Sequence, residues 1–282
     1  MSGVEAIILG LVQGLTEFLP VSSSGHILLG QKLLGIQPHD DNTLFTVTVH
    51  AATVLSTIIV FRKEIWDILK GFFCGIKDIR ISDKKLVCND QTDYVLKIGV
   101  SMIPIFIVGV FFKDEVEQLM AGNLIIIGCA LLLTAALLCF SDYASKPGRK
   151  PLFPTKKYRN GISYWQAIVV GIGQAIAVTP GLSRSGTTIS TGLVCGVKRS
   201  TMAQFSFLMV LVPILGEAFL DLVGGEFASA EIGTDALVLG FISAFVSGLF
   251  ACKVMVALVK KAKLSWFALY CLIAAIVAFY IS

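Results

Sequence analysis

Apolar runs of spanning length alternate with short polar connections along the whole chain. Six runs, at about 43–62, 92–112, 121–140, 203–223, 235–258 and 265–282, offer the roughly 20 consecutive apolar residues that a membrane-crossing helix needs. Two further stretches, 3–35 and 163–197, behave differently. The first is cut at Pro20-Val-Ser-Ser-Ser-Gly25 and the second at Pro180-Gly-Leu-Ser-Arg-Ser-Gly186. Each cut leaves pieces of about 15 residues, too short to cross a bilayer. This pattern predicts two re-entrant helix hairpins, which are tolerated where protein or water surrounds the turn. The alternative is one kinked spanning helix followed by an interfacial one.

Composition agrees with a membrane protein. The 282 residues are 55% hydrophobic and 15% charged, with a mean hydropathy of +0.82, more apolar surface than a soluble domain can bury. The net charge of +4 is too small to point to nucleic acid. The seven cysteines form no CxxC pair and lie mostly in apolar runs, which fits neither a disulfide framework nor a zinc site. Residues 1–8 lack a basic region and a cleavage site, so no removable signal peptide is expected.

Charge sets the topology. Lysines and arginines gather at 62–85 and 146–159, at Lys198 and Arg199, and at Lys253, Lys260, Lys261 and Lys263. The alternate connections carry Asp40 and Asp41, Asp114, Glu115 and Glu117, and Glu226 to Asp235. If both hairpins return to their own side, every basic connection falls on one face, the cytoplasmic one, and both termini lie outside. A full crossing by either hairpin would break this segregation. Each half then holds one hairpin and three crossings, an odd number, so the halves are inverted relative to each other. The expected fold is an all-α polytopic membrane protein of two inverted-topology repeats, with six spanning helices plus two re-entrant hairpins. It forms a single domain over 1–282, with repeat 1 at about 1–145, a basic linker at about 141–162 and repeat 2 at about 163–282.

The two hairpin stretches are copies. At a constant offset, Ser2/Ser163, Ala6/Ala167, Ile7/Ile168, Gly10/Gly171, Gln13/Gln174, Ser22/Ser183, Ser24/Ser185 and Gly25/Gly186 are identical. Broken helices at matching places in two halves point to a binding site near the middle of the membrane. Gln13 and Glu17, four residues apart, share one helix face, and a carboxylate at that depth is a functional candidate by default. After Pro20 come Ser22, Ser23 and Ser24, then Gly25 and His26 at the start of a helix. Such a turn presents hydroxyls and free backbone N–H groups to an anion, although serines also cap helices without further purpose. The second turn supplies Ser183, Arg184, Ser185, Thr187 and Thr188, and Arg184 is the only charged residue from 161 to 197. A guanidinium there matches phosphate oxygens or an internal salt bridge to Glu17. Either partner brings the loops together. His50 reads as an interhelical hydrogen-bonding group, and Glu217 and Asp221 as interfacial carboxylates. Trp66, Trp165 and Trp266 fall near segment ends, as interface aromatics do.

A carboxylate, an imidazole, an arginine and clustered hydroxyls sunk in a bilayer suit phosphoryl chemistry on a lipid-borne phosphate. At these residues the sequence resembles the undecaprenyl-pyrophosphate phosphatase, or bacitracin-resistance protein, family. One signature is (E/Q)xxxE, here Gln13 to Glu17, running into Phe-Leu-Pro-Val-Ser-Ser-Ser-Gly-His26; the other is PGxSRSxxT, here Pro180 to Thr188. The resemblance implies hydrolysis of the C55 isoprenyl diphosphate to monophosphate and inorganic phosphate, which recycles the carrier lipid for peptidoglycan and confers bacitracin resistance. It further implies a divalent cation, Mg²⁺ or Ca²⁺. By matching position, Glu17 is the acid/base or metal carboxylate, Ser23 a nucleophile, His26 a catalytic partner and Arg184 the phosphate clamp. Gln13, Ser22, Ser24, Ser183, Ser185 and Thr188 complete the substrate site. Because Gln13 stands where the motif also permits glutamate, a charged metal ligand is not expected there. The attacking group (Ser23, His26 or an activated water) stays open.

The expected location is the bacterial inner membrane, with the site opening to the periplasmic side. The expected partners are the isoprenyl diphosphate lipid and the bilayer, with no nucleic acid and with a homodimer as a possible assembly. The rival reading is a lipid-phosphate flippase, since inverted repeats with broken helices are also transporter architecture. Head-group transport needs cationic donors but neither base nor nucleophile, so Glu17 with Ser23 and His26 separates the two.

Overall fold

The computed structural model describes residues 1–36, 41–76, 80–82, 85–112, 123–145, 159–224, 233–261 and 263–282. The acidic connections at 114–117 and 226–232, the basic positions 146–158, and the side chains of Glu217 and Asp221 lie outside them. Eleven α-helices account for most of the described residues: α1 (Gly3–Thr16), α2 (Ser23–Leu33), α3 (Asp41–Val60), α4 (Arg62–Gly75), α5 (Asp90–Phe111), α6 (Leu124–Ala144), α7 (Tyr164–Ile176), α8 (Arg184–Val194), α9 (Arg199–Gly224), α10 (Thr234–Lys261) and α11 (Ser265–Tyr280). A short antiparallel ribbon, Arg80–Ser82 paired with Lys85–Val87, lies between α4 and α5 in this otherwise helical fold.

The chain is a polytopic helical membrane protein. Among the described residues, four helices are long and apolar enough to cross: α5, α6, α9 over Arg199–Gly216, and α10 over Thr234–Met255. A fifth span arises if α3 and α4 count as one, although they meet at a 76° bend. The last expected crossing corresponds to α11, which is apolar but has 16 residues, fewer than the roughly 20 of a full span. Pro104 lies inside α5 and Pro213 inside α9, as membrane helices permit when neighbours satisfy the freed carbonyls.

The two broken stretches fold as helix pairs, α1 with α2 and α7 with α8. Both first helices start with the same device. Ser2 caps α1 and exchanges bonds with Glu5, while Ser163 caps α7 and exchanges bonds with Gln166, a reciprocal box that satisfies two orphan amides. Their second helices are capped by Ser22 and Ser183, whose hydroxyls accept from the Gly25 and Gly186 amides. Helix α7 is further tied to the far end of α8 by the Gln166 side chain, which donates to the Cys195 carbonyl at 2.8 Å.

Each helix pair packs on a helix from the other half of the chain. Helix α1 lies on α10, where backbones approach closely through small residues on both sides. A Cβ built on Gly10 would sit 2.5 Å from the Gly240 carbonyl, and one on Gly14 would sit 2.0 Å from Ser247 Oγ. Gly10-xxx-Gly14 thus meets Gly240-xxx-Ala244-xxx-Gly248, the packing that compensates for the missing hydrophobic drive between helices in lipid. Ser243 Oγ donates to the Ile7 carbonyl, and Ser56 Oγ on α3 donates to the Phe245 carbonyl, so α10 is held between α1 and α3. Helix α7 meets α5 in the same way, with Gly171 against the Ser101 backbone.

A buried polar knot fixes the start of α7. Lys97 and Asp93 on α5 form an ion pair at 2.6 Å, both nearly inaccessible. Asp93 also accepts from the Tyr164 hydroxyl at 2.9 Å and from Asn160 Nδ2 at 3.0 Å, while Lys97 Nζ lies 5.3 Å from the centre of the Tyr164 ring. Asp142, near the end of α6, joins two more helices. It pairs with Arg199 at the start of α9 and accepts from the Ser265 amide at the start of α11.

Candidate active site

The turns of the two helix pairs meet. Ser185 Oγ donates to the Leu19 carbonyl at 3.2 Å across the junction. A Cβ on Gly25 would lie 3.1 Å from Gly181 Cα, and one on Gly186 would lie 3.3 Å from Pro20 Cβ. Gly181 has φ +86°, and a side chain there would strike the Ile127 backbone at 2.8 Å, so glycine is required on both counts. The N-termini of α2 and α8 therefore converge. The amides of Ser23, Ser24, Arg184 and Ser185 occupy first-turn positions that lack intrahelical acceptors. Two helix N-termini at one place favour an anion.

Glu17 sits at the C-terminal end of α1, and its carboxylate is the centre of the cluster. Ser23 Oγ donates to Glu17 Oε2 at 2.5 Å and Gln13 Nε2 donates to the same oxygen at 2.9 Å. The i, i+4 spacing places Gln13 under Glu17 as expected, and the turn at Pro20 swings Ser23 back onto it. Arg184, the first residue of α8, is near enough for its charge to act on Glu17. The carboxylate side chain is 10% exposed, so it is largely shielded from water and such interactions strengthen.

Ser22 is held at φ 72°, ψ 97°, a conformation that is uncommon for a residue with a side chain. It aims the Ser22 carbonyl at His26 Nδ1, 2.6 Å away. A carbonyl only accepts, so Nδ1 carries the proton and Nε2 receives the Tyr270 hydroxyl at 2.8 Å. The Tyr270 ring lies nearly parallel to the imidazole, 10° apart with centroids at 5.5 Å. Both ring nitrogens of His26 are thus engaged, one by the turn and the other by α11.

The remaining hydroxyls divide. Ser22 Oγ and Ser24 Oγ lie 3.3 Å apart, and Ser183 Oγ and Ser185 Oγ 3.4 Å apart, a matched pair of serines at each helix start. Thr188 points elsewhere: its hydroxyl is 2.8 Å from the Arg184 carbonyl and 2.6 Å from Ser206 Oγ, and the residue is buried. In this arrangement Thr188 braces the first turn of α8 against α9.

Two residues of the cluster were not expected in it. His50 on α3 places Nε2 3.7 Å from Glu17 Oε2, whereas the sequence reading assigned it a bond between helices. The available signal was a lone histidine in an apolar span, which marks function by default. Tyr270 carries no such signal, being one aromatic in an apolar helix far along the chain.

The donor set fits a divalent cation. Among the described residues no group of three or more His, Cys, Asp or Glu side chains forms a metal cage. Gln13 Oε1, however, is a buried acceptor without a hydrogen-bond partner, beside the Glu17 carboxylate. One carboxylate and one amide carbonyl, completed by phosphate oxygens and water, is how Mg²⁺ is commonly held.

A family model described as bacitracin resistance protein BacA matches residues 6–277 of the chain. The chain belongs to that family. It is 52% identical to an undecaprenyl-diphosphatase of Bacteroides fragilis over 285 aligned positions, covering 100% of this chain and 99% of the relative. It is also 52% identical to the undecaprenyl-diphosphatase of Parabacteroides distasonis, covering 98% and 97% of the two chains. With that of Christiangramia forsetii the identity is 44%, over 97% and 96%. The matches run through both hairpin stretches, and nothing in them favours a transporter.

Proposed function

We propose that this membrane protein hydrolyses undecaprenyl diphosphate to undecaprenyl phosphate and inorganic phosphate. The single observation that carries the reading is the Ser23–Glu17–Gln13 chain of hydrogen bonds placed at two converging helix N-termini. The full-length likeness to undecaprenyl-diphosphatases supplies the substrate class.

In this reading the terminal phosphate lies between the N-termini of α2 and α8, its oxygens taken by the Arg184 guanidinium and the hydroxyls of Ser24, Ser183 and Ser185. Glu17 removes the proton from Ser23 Oγ, and Ser23 attacks the terminal phosphorus. The P–O bond to the bridging oxygen breaks and undecaprenyl phosphate departs with that oxygen and its electron pair. Glu17 passes the Ser23 proton to the departing phosphate. Water then attacks the phosphoserine phosphorus, Glu17 takes a proton from the water and returns it to Ser23 Oγ as the Ser23 O–P bond breaks, and inorganic phosphate leaves. Ser23 is preferred to His26 because its hydroxyl already contacts a base, whereas Nε2 of His26 is occupied by Tyr270. The His26–Tyr270 pair then serves to fix the turn that carries Ser23. Glu17 and Gln13 would hold a divalent cation, Mg²⁺ or Ca²⁺ by the family resemblance, which supplies charge neutralisation for the diphosphate.

The finer topology belongs to the same proposal. Two inverted repeats with six crossings and two hairpins put the basic connections on the cytoplasmic side of the inner membrane, and the site opens to the periplasm. The pairing of α1 with α10 and of α7 with α5 supports two equivalent halves. Phosphate release from isoprenyl diphosphate by purified protein, with and without Mg²⁺ or Ca²⁺, tests the activity. Release that matches a protein-free control would sink it.

A further inference from the structure

His50 faces Glu17 at a distance too long for a direct hydrogen bond. Its Nδ1 lies 2.8 Å from the Thr46 carbonyl one turn earlier in α3. The carbonyl can only accept, so Nδ1 carries a proton, and in the neutral ring Nε2 presents a lone pair. That lone pair is directed toward Glu17 Oε2, 3.7 Å away, and both side chains are largely buried. Two electron pairs at this distance repel unless a proton or a cation lies between them. Gln13 adds a third. With Nε2 donating to Glu17 at 2.9 Å, its Oε1 is fully buried and unpartnered. Reversing the amide would set Oε1 against the carboxylate oxygen, so an acceptor stays unsatisfied in either orientation.

We propose that His50 Nε2 is a ligand of the divalent cation, together with Glu17 and Gln13 Oε1, and that this nitrogen makes the site favour a first-row transition ion such as Mn²⁺ over Ca²⁺. The proposal rests on the reading that a divalent cation serves the phosphatase. Three observations support it. The three groups come from two helices, α1 and α3: Gln13 Oε1 is buried without a partner, His50 Nε2 faces Glu17 Oε2, and that oxygen also takes bonds from Ser23 and Gln13. The His50 ring is oriented by a backbone carbonyl on its other nitrogen, the outer-sphere arrangement that metal-ligating histidines commonly have. Imidazole is also a ligand for transition ions, whereas Ca²⁺ and Mg²⁺ take oxygen. His26 has no such freedom, since Tyr270 fills its Nε2.

The test uses Mn²⁺ itself, added to the full-length protein purified in detergent and followed by electron paramagnetic resonance. The expected result is bound Mn²⁺ whose spin-echo modulation shows directly coupled ¹⁴N, replaced by the ¹⁵N pattern when the three histidines of the chain are ¹⁵N-labelled. The nitrogen coupling should vanish in His50→Gln and persist in His26→Gln and His39→Gln. His50→Gln should also weaken Mn²⁺ binding about tenfold or more and narrow its preference over Ca²⁺. Bound Mn²⁺ without nitrogen coupling in the unsubstituted protein overturns the proposal, as does coupling that survives in His50→Gln or an absence of Mn²⁺ binding altogether. If His50→Gln does not fold, the labelled protein and the other two variants still decide the question. Phosphate release that continues undiminished in a chelator instead overturns the underlying cation reading, and is measured separately.

Discussion

The hydroxyl of Ser23 donates to Glu17 Oε2 at 2.5 Å, across a turn that separates them by six residues. Helix α1 ends beneath the carboxylate and α2 begins at the hydroxyl, so the break in the apolar stretch is what joins base to nucleophile. Removing the carboxylate while keeping its shape should stop the chemistry. Glu17→Gln is expected to lower turnover by about 10²–10⁴-fold, the usual contribution of a positioned base, with unchanged thermal unfolding in detergent. Near-normal hydrolysis by this variant would show that the base lies elsewhere.

Ser23→Ala separates the two modes of attack. If the serine oxygen attacks phosphorus, the variant loses turnover to the same depth as Glu17→Gln. Rapid acid quenching of the unsubstituted enzyme should then trap phosphate on the peptide containing Ser23, detected by mass spectrometry. Substantial activity without Ser23 would transfer the attack to a Glu17-activated water.

Arg184 tests the clamp. Its guanidinium stands at the first position of α8 and acts on Glu17 across the junction. Arg184→Ala should abolish turnover, and Arg184→Lys should retain the charge yet recover little, because an ammonium cannot supply the planar fork that matches phosphate. The kinetic comparison of the two variants is the measurement. Equal, near-full activity in both would remove arginine from the site.

The α1–α10 contact can be probed without touching the chemistry. Gly14→Ala places a methyl 2.0 Å from Ser247 Oγ and 2.5 Å from the Ala244 carbonyl. We expect destabilisation of about 1–3 kcal/mol from overpacking, read as a lowered midpoint of unfolding. Adding Ser247→Gly should relieve only part of it, since the backbone carbonyl stays. Full recovery would mean that the helices slide apart more freely than their hydrogen bonds allow.

The buried knot on α5 makes a different prediction. Lys97→Met leaves Asp93 as an uncompensated buried charge and should destabilise by about 3–5 kcal/mol. Replacing Asp93 as well, by leucine, should restore part of that loss. A single variant as stable as the original protein would show that Asp93 reaches water or another cation.

Much of this arrangement is legible along the chain. Period and length of the apolar runs separate spanning helices from broken ones because the bilayer imposes a minimum length. Glu17, Ser23 and Arg184 stand out because ionisable and hydroxyl groups are expensive in lipid, and their spacing around two prolines places them on turns. The copied serines and glycines also announce that two turns share one purpose. The bent continuation of α3 into α4 and the short α11 were less visible, since hydropathy reports burial in lipid rather than helix direction. Asp93 and Lys97 were overlooked inside a span although their i, i+4 spacing permits a pair.

By itself, then, the sequence determined a helical membrane protein, its two broken stretches and the residues able to handle a phosphate. These follow from local rules, in which each side chain meets the bilayer or its own helix. The tertiary structure alone decided that His50 faces Glu17, that Tyr270 holds His26 and that Thr188 turns to Ser206. Those contacts join helices distant in the chain, and they depend on how closely small residues such as Gly10, Gly14 and Gly181 let backbones approach. No local pattern encodes that distance, which is set only when the helices pack together.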